Sequence, residues 1–137
     1  ILMDKKFLKK IIAQSQEDLQ IVSACCSEAK IKTSDIKYLP SNRIFLLSLS
    51  RMNKEETDNK KFINSVVKFE FVESSKSKNI DQNDPDLVLE LLAINVFKRE
   101  NKFEITLLFS KNRIITLTAE VIEVTLEDQK FKNDKNS

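Results

Sequence analysis

The sequence predicts an α+β protein, in which six to seven strands form a mostly antiparallel β-sheet or a partly open barrel. One N-terminal amphipathic helix is expected to pack on this sheet. Three observations lead to this fold class. Most of the chain alternates apolar and polar residues with the period of two that a strand requires. A single segment has the helical period, and most connections are too short to join parallel neighbours.

The single helix is predicted over residues 16–29. Ser15 is a suitable N-cap, because its hydroxyl can accept a hydrogen bond from an amide of the first helical turn. Glu17 and Asp18 then lie at the positive end of the helix dipole. The apolar residues that recur at helical spacing are Leu19, Val22, Cys26 and Ala29.

The strands are predicted from apolar alternation between turn signals and polar loops. They cover residues 7–14, 31–39, 43–52, 63–74, 87–98, 103–110 and 113–126. An interruption is expected at Ser34–Asp35, and the last segment is either one long strand or a strand with a bend. The segment 87–98 is apolar on both faces, which indicates a central strand.

Turns and loops complete the predicted domain. Short turns are expected at 40–42, 101–102 and 111–112, and polar loops at 53–61 and 74–86. We expect residues 1–128 to form a single globular domain and residues 129–137 to be a disordered tail.

Two missing residue types exclude several kinds of chemistry. The chain contains no His, so it cannot form a Ser-His or Cys-His nucleophile pair or an imidazole metal site. It contains no Gly, which dinucleotide-binding and P-loop motifs need where the backbone approaches phosphate. We therefore expect no cofactor, no metal and no catalytic residue, and we favour a binding module over an enzyme.

Charge and the N-terminal sequence bear on partners and location. The 23 basic and 21 acidic residues give a net charge of +2 and are interspersed, which does not favour a nucleic-acid or membrane partner. The apolar stretch at the start is broken by lysines and is neither a signal peptide nor a membrane span. We expect a cytoplasmic protein.

Four residues form a candidate ligand-binding site. Arg43 and Arg51 are two of only four arginines and are eight residues apart, so on a regular strand they point to the same face. Asp35 and Tyr38 lie on the strand expected to pair with theirs. An arginine fork suits a carboxylate or a phosphate, so these side chains could hold a small anion. The commoner role, a cross-strand ion pair on the solvent side, is the one we favour.

Two further groups are assigned structural roles. Cys25 and Cys26 fall in the second half of the helix, where the dipole opposes thiolate formation, so we expect them to be small core residues. The acidic residues near the end of the last strand are expected to be solvated surface charge. They are Glu120, Glu123, Glu127 and Asp128.

Several stretches in order resemble one known family. They are IIAQSQEDLQIVSACCSEAKI, DIKYLP, RIFLLSLSRM, LELLAINV and FEITLLFSKNRIITLTAEVIEVTLED. Together they resemble an alphaproteobacterial family classified as domain of unknown function 2948. The resemblance covers most of residues 7–128 and implies a bacterial protein, but it implies no activity, cofactor or substrate. The chain departs from the family pattern in lacking glycines at its hairpins.

Two hypotheses for function follow from these observations. The first is a non-enzymatic binding or scaffold module that contacts another protein or self-associates, because exposed strand edges can accept a partner strand. The alternative is a protein or enzyme that binds a small anionic metabolite on the face that carries Arg43, Arg51, Tyr38 and Asp35.

Overall fold

The described part of the chain, residues 8–53 and 62–129 of a computed structural model, contains ten strands and one helix. The helix, α1, comprises Gln16–Cys26. The strands are β1 (Lys10–Ala13), β2 (Lys30–Lys32), β3 (Ile36–Leu39), β4 (Ile44–Met52), β5 (Phe62–Phe69), β6 (Val72–Lys78), β7 (Val88–Arg99), β8 (Lys102–Phe109), β9 (Arg113–Ala119) and β10 (Val124–Asp128). A short 3-10 helix over Thr33–Asp35 separates β2 from β3.

The strands form one open, antiparallel sheet, which confirms the predicted fold class. Their order is β1-β10-β5-β4-β2-β7-β8-β9-β6, and β3 pairs with β4 beside this path. Every strand pair within the described residues is antiparallel. The segment predicted as a central strand is β7, which lies between β2 and β8.

The predicted number of six to seven strands is wrong, because three predicted strands each form two. The 3-10 helix divides 31–39 at the expected interruption. Residues 63–74 contain all of β5 except its first residue, then a bend and the start of β6. The segment 113–126 bends at residues 120–123 between β9 and β10.

The break between β5 and β6 is a bend at Phe71, whose φ is 60°, and the pairing of β5 with β10 continues beyond it as the pairing of β6 with β9. A bulky side chain is uncommon in the left-handed region, so an aromatic residue inside an alternating pattern gives no turn signal. Strand β6 then runs to Lys78 through serines and lysines, most of which lie in the segment 74–86 that the sequence predicts as a polar loop.

Left-handed residues occur at the turns and bends of this chain, which contains no glycine. Seven described residues have positive φ: Glu28, Arg43, Phe71, Asn79, Glu100, Lys111 and Asn112. Only two of the seven are asparagines, so most of these positions are outside the usual Asn and Gly preference.

The helix begins where the sequence predicts. The Asp18 amide donates to Ser15 Oγ at 3.1 Å, which confirms the N-cap. The helix ends at Cys26 rather than at residue 29, and Ala29 follows in an extended connection to β2. Its buried residues are Leu19, Val22 and Cys26. This face packs mainly against β7, so the helix covers one face of the sheet.

The hydrophobic core is one cluster contributed by α1 and all the strands except β3, with residues of β3 packed against its edge. Burial alternates along β5, where Ile63, Val67 and Phe69 are buried and their neighbours are more exposed, and Val67 and Phe69 belong to the cluster. This register fixes which side chains face inward along each strand.

Parts of three predictions lie outside the described residues. They are the start of the first strand, most of the 53–61 loop and residues 130–137 of the tail. Gln129, the first residue of the predicted tail, donates its amide to the Asn64 carbonyl at 2.7 Å. The single-domain boundary at residue 128 stays a prediction.

Candidate functional site

A cleft of about 420 Å³ lies between β3 and β6. We call it the β3–β6 cleft. Its lining is apolar and hydroxyl-bearing, and no described residue that lines it carries a charged side chain. The lining residues are Thr33, Ser34, Ile36, Tyr38, Phe45, Ser75, Ser77, Ile80, Gln82, Pro85 and Ile115. A pocket of this size with a few polar groups is typical of a binding site.

The cleft exists because two strand edges face it. Within residues 8–53 and 62–129, β3 pairs only with β4, and β6 pairs only with β9. The 3-10 helix over Thr33–Asp35 displaces β3 from the line of β2, which is hydrogen-bonded to β7. The two unpaired edges therefore border one opening, with Phe45 and Ile115 among its lining.

Hydrogen bonds hold both ends of the cleft. At one end, Tyr38 Oη donates to the Val72 carbonyl at 3.1 Å, and the Val72 amide donates to the Arg43 carbonyl at 2.9 Å. At the other end, Thr33 donates through its amide to the Leu87 carbonyl at 2.9 Å and through Oγ1 to the Asp84 carbonyl at 2.6 Å. Of these contacts, the bond from Tyr38 to Val72 joins β3 directly to β6.

The alternation of the two strands gives the cleft distinct inner and outer faces. Ile36 and Tyr38 are paired with the buried Leu47 and Phe45 of β4. On β6, Ser75 and Ser77 are paired with the buried Leu117 and Ile115 of β9. Because neighbouring residues of a strand point to opposite faces, Lys37, Lys76 and Lys78 lie on the outer face. All three of these lysines are exposed.

The structure does not bring the four predicted site residues into one concavity. Tyr38 lines the β3–β6 cleft, whereas Asp35 lines a second depression on the outer face of β2, β4 and β5. Arg51 lines a third, beside α1. Arg43 lies in the turn before β4, with φ of 56°, and forms an exposed ion pair with Glu120. Their role in anion binding stays a prediction.

Arg43 and Arg51 do not share a face, contrary to the even-spacing argument. That argument assumes a regular strand from 43 to 51, but β4 begins at Ile44 and Arg43 has a left-handed backbone. Asp35 is the partner of neither arginine. Arg43 forms a solvent-exposed ion pair from the turn before β4 and not between paired strands, whereas Arg51 is only 1% exposed.

Arg51 belongs to a buried polar cluster that sequence reasoning missed. Its Nε and Nη2 donate to the two carboxylate oxygens of Asp128 at 2.9 and 2.6 Å. Ser65 Oγ donates to Asp128 Oδ1 at 2.6 Å, and the Lys9 amide donates to Oδ2 at 2.8 Å. The expectation that Asp128 is a solvated surface charge is therefore wrong, because it is 8% exposed.

The environment of the cluster shifts both ionisable groups. Burial raises the pKa of Asp128, but the hydrogen bonds from Arg51, Ser65 and the Lys9 amide outweigh it and hold that pKa below its ordinary value. Burial likewise lowers the pKa of Arg51, and Asp128 more than compensates by raising it. Both groups are charged at neutral pH. The pair has a structural role, because its hydrogen bonds join neighbouring strands.

The remaining candidates give no site. Cys26 is buried in the core, as expected, and Cys25 is half-buried at the depression that Arg51 also lines. No group of His, Cys, Asp or Glu within the described residues is arranged to hold a metal ion. No helix in the described part of the chain has the length and apolar character needed to cross a membrane.

Comparisons with known proteins give a family but no activity. No curated protein matches the sequence. One solved structure, an uncharacterized protein from Neisseria gonorrhoeae, is similar at 16% identity and a TM-score of 0.46, over 85% of this chain and 96% of that chain. Residues 9–136 match a family described as "Protein of unknown function (DUF2948)". The chain belongs to this family, as its ordered sequence stretches suggest.

Proposed function

We propose that this protein is a non-enzymatic binding module that takes an extended segment of another protein as an added strand in the β3–β6 cleft. The observation that carries the proposal is the pair of strand edges, β3 and β6, that border one cleft and have no strand partner there within the described residues. A bare edge offers backbone donors and acceptors that an extended peptide can satisfy.

The chemistry of the lining supports a peptide rather than an anionic metabolite. Ile36, Phe45 and Ile115 offer apolar contact, and Ser75 and Ser77 offer hydroxyls. Main-chain hydrogen bonds supply affinity in strand addition, while pockets for alternate side chains supply selectivity. Both requirements are met without a charged group in the lining.

Self-association is a variant of the same proposal, in which a strand of a second copy occupies the cleft. In that case the protein would form oligomers only when the cleft is open to a second copy. Sedimentation of the purified wild type and of Ser75→Phe tests this variant of the proposal, because an oligomer held together through the cleft should dissociate when the cleft is filled.

The test is selection of random extended peptides displayed on phage. Selected peptides should bind the wild-type protein and not the Ser75→Phe variant, whose aromatic ring would fill the cleft. Ser48→Phe is the matched control, because Ser48 is also a strand serine but lies on the exposed face of β4. The proposal fails if selection yields no binder, or if the selected peptides bind both variants equally.

A further inference from the structure

Three exposed lysines lie on the outer face of the β3–β6 cleft, and the one acidic residue of the two strands, Glu73, is paired with Lys102. Lys37 lies on β3, and Lys76 and Lys78 lie on β6. All three are exposed, and none of them forms an ion pair with another described residue. Lysines on unpaired strand edges oppose strand-to-strand aggregation, which would explain their presence even if no partner binds. Their charge would also determine which partner strands can bind.

A strand placed between β3 and β6 would have these lysines as its outward neighbours. Directly opposed side chains on adjacent antiparallel strands have Cβ atoms about 4.5–5.5 Å apart, so they interact in pairs. An outward residue of the added strand would be flanked by Lys37 on one side and by Lys76 or Lys78 on the other. Its inward neighbours would be Ile36, Tyr38, Ser75 and Ser77, which suit small apolar side chains.

Resting on the proposed function, we infer that the segment bound in this cleft is acidic and alternating, with Asp or Glu facing outward and small or β-branched apolar residues facing inward. Opposite charges directly across a sheet stabilise the pairing, and like charges oppose it. A basic segment would be rejected for that reason. Charge complementarity therefore gives the cleft its selectivity.

Nearby acidic groups do not cancel this charge. Glu73, at the start of β6, is paired with Lys102 at 2.6 Å. Asp81 and Asp84 follow β6 and accept hydrogen bonds from the amides of Asn83 and Asp86. Asp35 precedes β3 and lines a different depression. The acidic positions of the bound segment should therefore lie over the middle of the cleft, between Lys37 and Lys76, rather than over the 81–86 end.

The test uses three end-capped peptides long enough to pair with the seven residues of β6. Valine alternates with glutamate in the first, with serine in the second and with lysine in the third. We expect the glutamate peptide to bind most tightly and the lysine peptide to show no binding, by fluorescence anisotropy. The affinity of the glutamate peptide should fall as the salt concentration is raised, because exposed charges are screened.

Charge reversal at the cleft gives the matched comparison. Lys37→Glu and Lys76→Glu should each weaken binding of the glutamate peptide by about three- to tenfold, as expected for the loss of one cross-strand pair and gain of a repulsion. Lys98→Glu is the control, because Lys98 is exposed at the end of β7, with β8 and β9 between it and β6. It makes the same change in net charge and should leave the affinity unchanged.

The outcomes separate this inference from the proposed function. If the serine or lysine peptide binds as well as the glutamate peptide and Ser75→Phe abolishes that binding, the charge inference is wrong and the cleft remains a peptide site. The same conclusion follows if only unrelated peptides from the displayed library bind through the cleft. If Ser75→Phe weakens the binding of no peptide, the charge inference and the proposed function are both wrong.

Discussion

The guanidinium of Arg51 and the carboxylate of Asp128 form a buried ion pair that joins β4 to β10 across the intervening strand β5. The two residues are 77 positions apart, and their two hydrogen bonds are 2.9 and 2.6 Å long. Ser65, on the strand between them, donates to the same carboxylate at 2.6 Å. Both side chains are almost fully withdrawn from water, with exposures of 2% and 0%. The cluster therefore links three neighbouring strands through one carboxylate.

Removal of the arginine should be strongly destabilising. In Arg51→Met the Asp128 carboxylate stays buried without its countercharge, which typically costs about 3–5 kcal/mol of unfolding free energy. Urea denaturation measures this loss. Arg99→Met is the control, because Arg99 is 76% exposed and its contact with Glu104 is 3.8 Å long. Equal losses in the two variants would contradict the account.

Replacement of both members should recover most of that stability. Arg51→Met combined with Asp128→Leu leaves neither charge buried, and apolar residues in place of a buried ion pair are often neutral or stabilising. The double variant should unfold at a urea concentration closer to the wild type than either single variant does. Strict additivity of the two single losses would show that the residues do not act as a pair.

The pair also predicts how stability changes in acid. The folded-state pKa of Asp128 is lowered, so its contribution is present above the ordinary value of 3.8 and is lost as the pH falls through the folded pKa. Urea midpoints of the wild type should therefore fall as the pH is lowered from about 5 to about 2. The fall should be smaller in Asp128→Asn. Parallel pH profiles for the two proteins would contradict this assignment.

The hairpin between β8 and β9 offers a test of backbone strain. Lys111 has φ of 64°, where an ordinary residue costs roughly 1–2 kcal/mol and glycine does not. Allowing about 0.5–1 kcal/mol for the flexibility of glycine, Lys111→Gly should raise the unfolding free energy slightly. Asn101→Gly is the control, because Asn101 is a turn residue without positive φ, and it should lower stability. The melting temperatures of the two variants show whether each change raises or lowers stability.

The hydroxyl of Tyr38 closes one end of the cleft and should contribute measurably to stability. Its hydrogen bond to the Val72 carbonyl is 3.1 Å long and partly buried. Tyr38→Phe keeps the ring contact with Phe45 and removes the donor, so the unfolding free energy should fall by about 0.5–1.5 kcal/mol. An unchanged urea midpoint would show that this bond does not hold β3 to β6.

The fold class was predictable because alternation and capping are local signals. Ser15 marks the start of α1, and the strict alternation of Val67 and Phe69 marks a strand with one buried face. The number of strands was not predictable in the same way, because the bend at Phe71 places an aromatic residue at positive φ, where glycine or asparagine would give a signal. A period of two continues through such a bend without a visible break.

The buried cluster left a signal in the sequence that was overlooked. Arg51 follows Phe45, Leu47 and Leu49 at even spacing, and Asp128 follows Val124 and Leu126 in the same way. A charged residue at an apolar position of a strand is a candidate for a buried pair. Its partner is 77 residues distant, however, and strand order is needed to identify it.

The β3–β6 cleft could not be predicted from local pattern. It depends on the displacement of β3 by the 3-10 helix and on the place of β6 at the end of the sheet order. Strand alternation places Lys37 and Lys76 on the outer face, but only topology shows that they flank the same opening. The sequence therefore supports a general expectation that a strand edge binds a partner, but it does not locate the β3–β6 cleft.

Amide hydrogen exchange with and without the valine–glutamate peptide tests the central claim most directly. The amides of β3 and β6 that lack a partner strand should gain protection on binding, while those of the remaining strands keep their free-state rates. The gain should be absent in Ser75→Phe and present in Ser48→Phe. Binding that protects amides elsewhere and leaves β3 and β6 unchanged would contradict strand addition in this cleft.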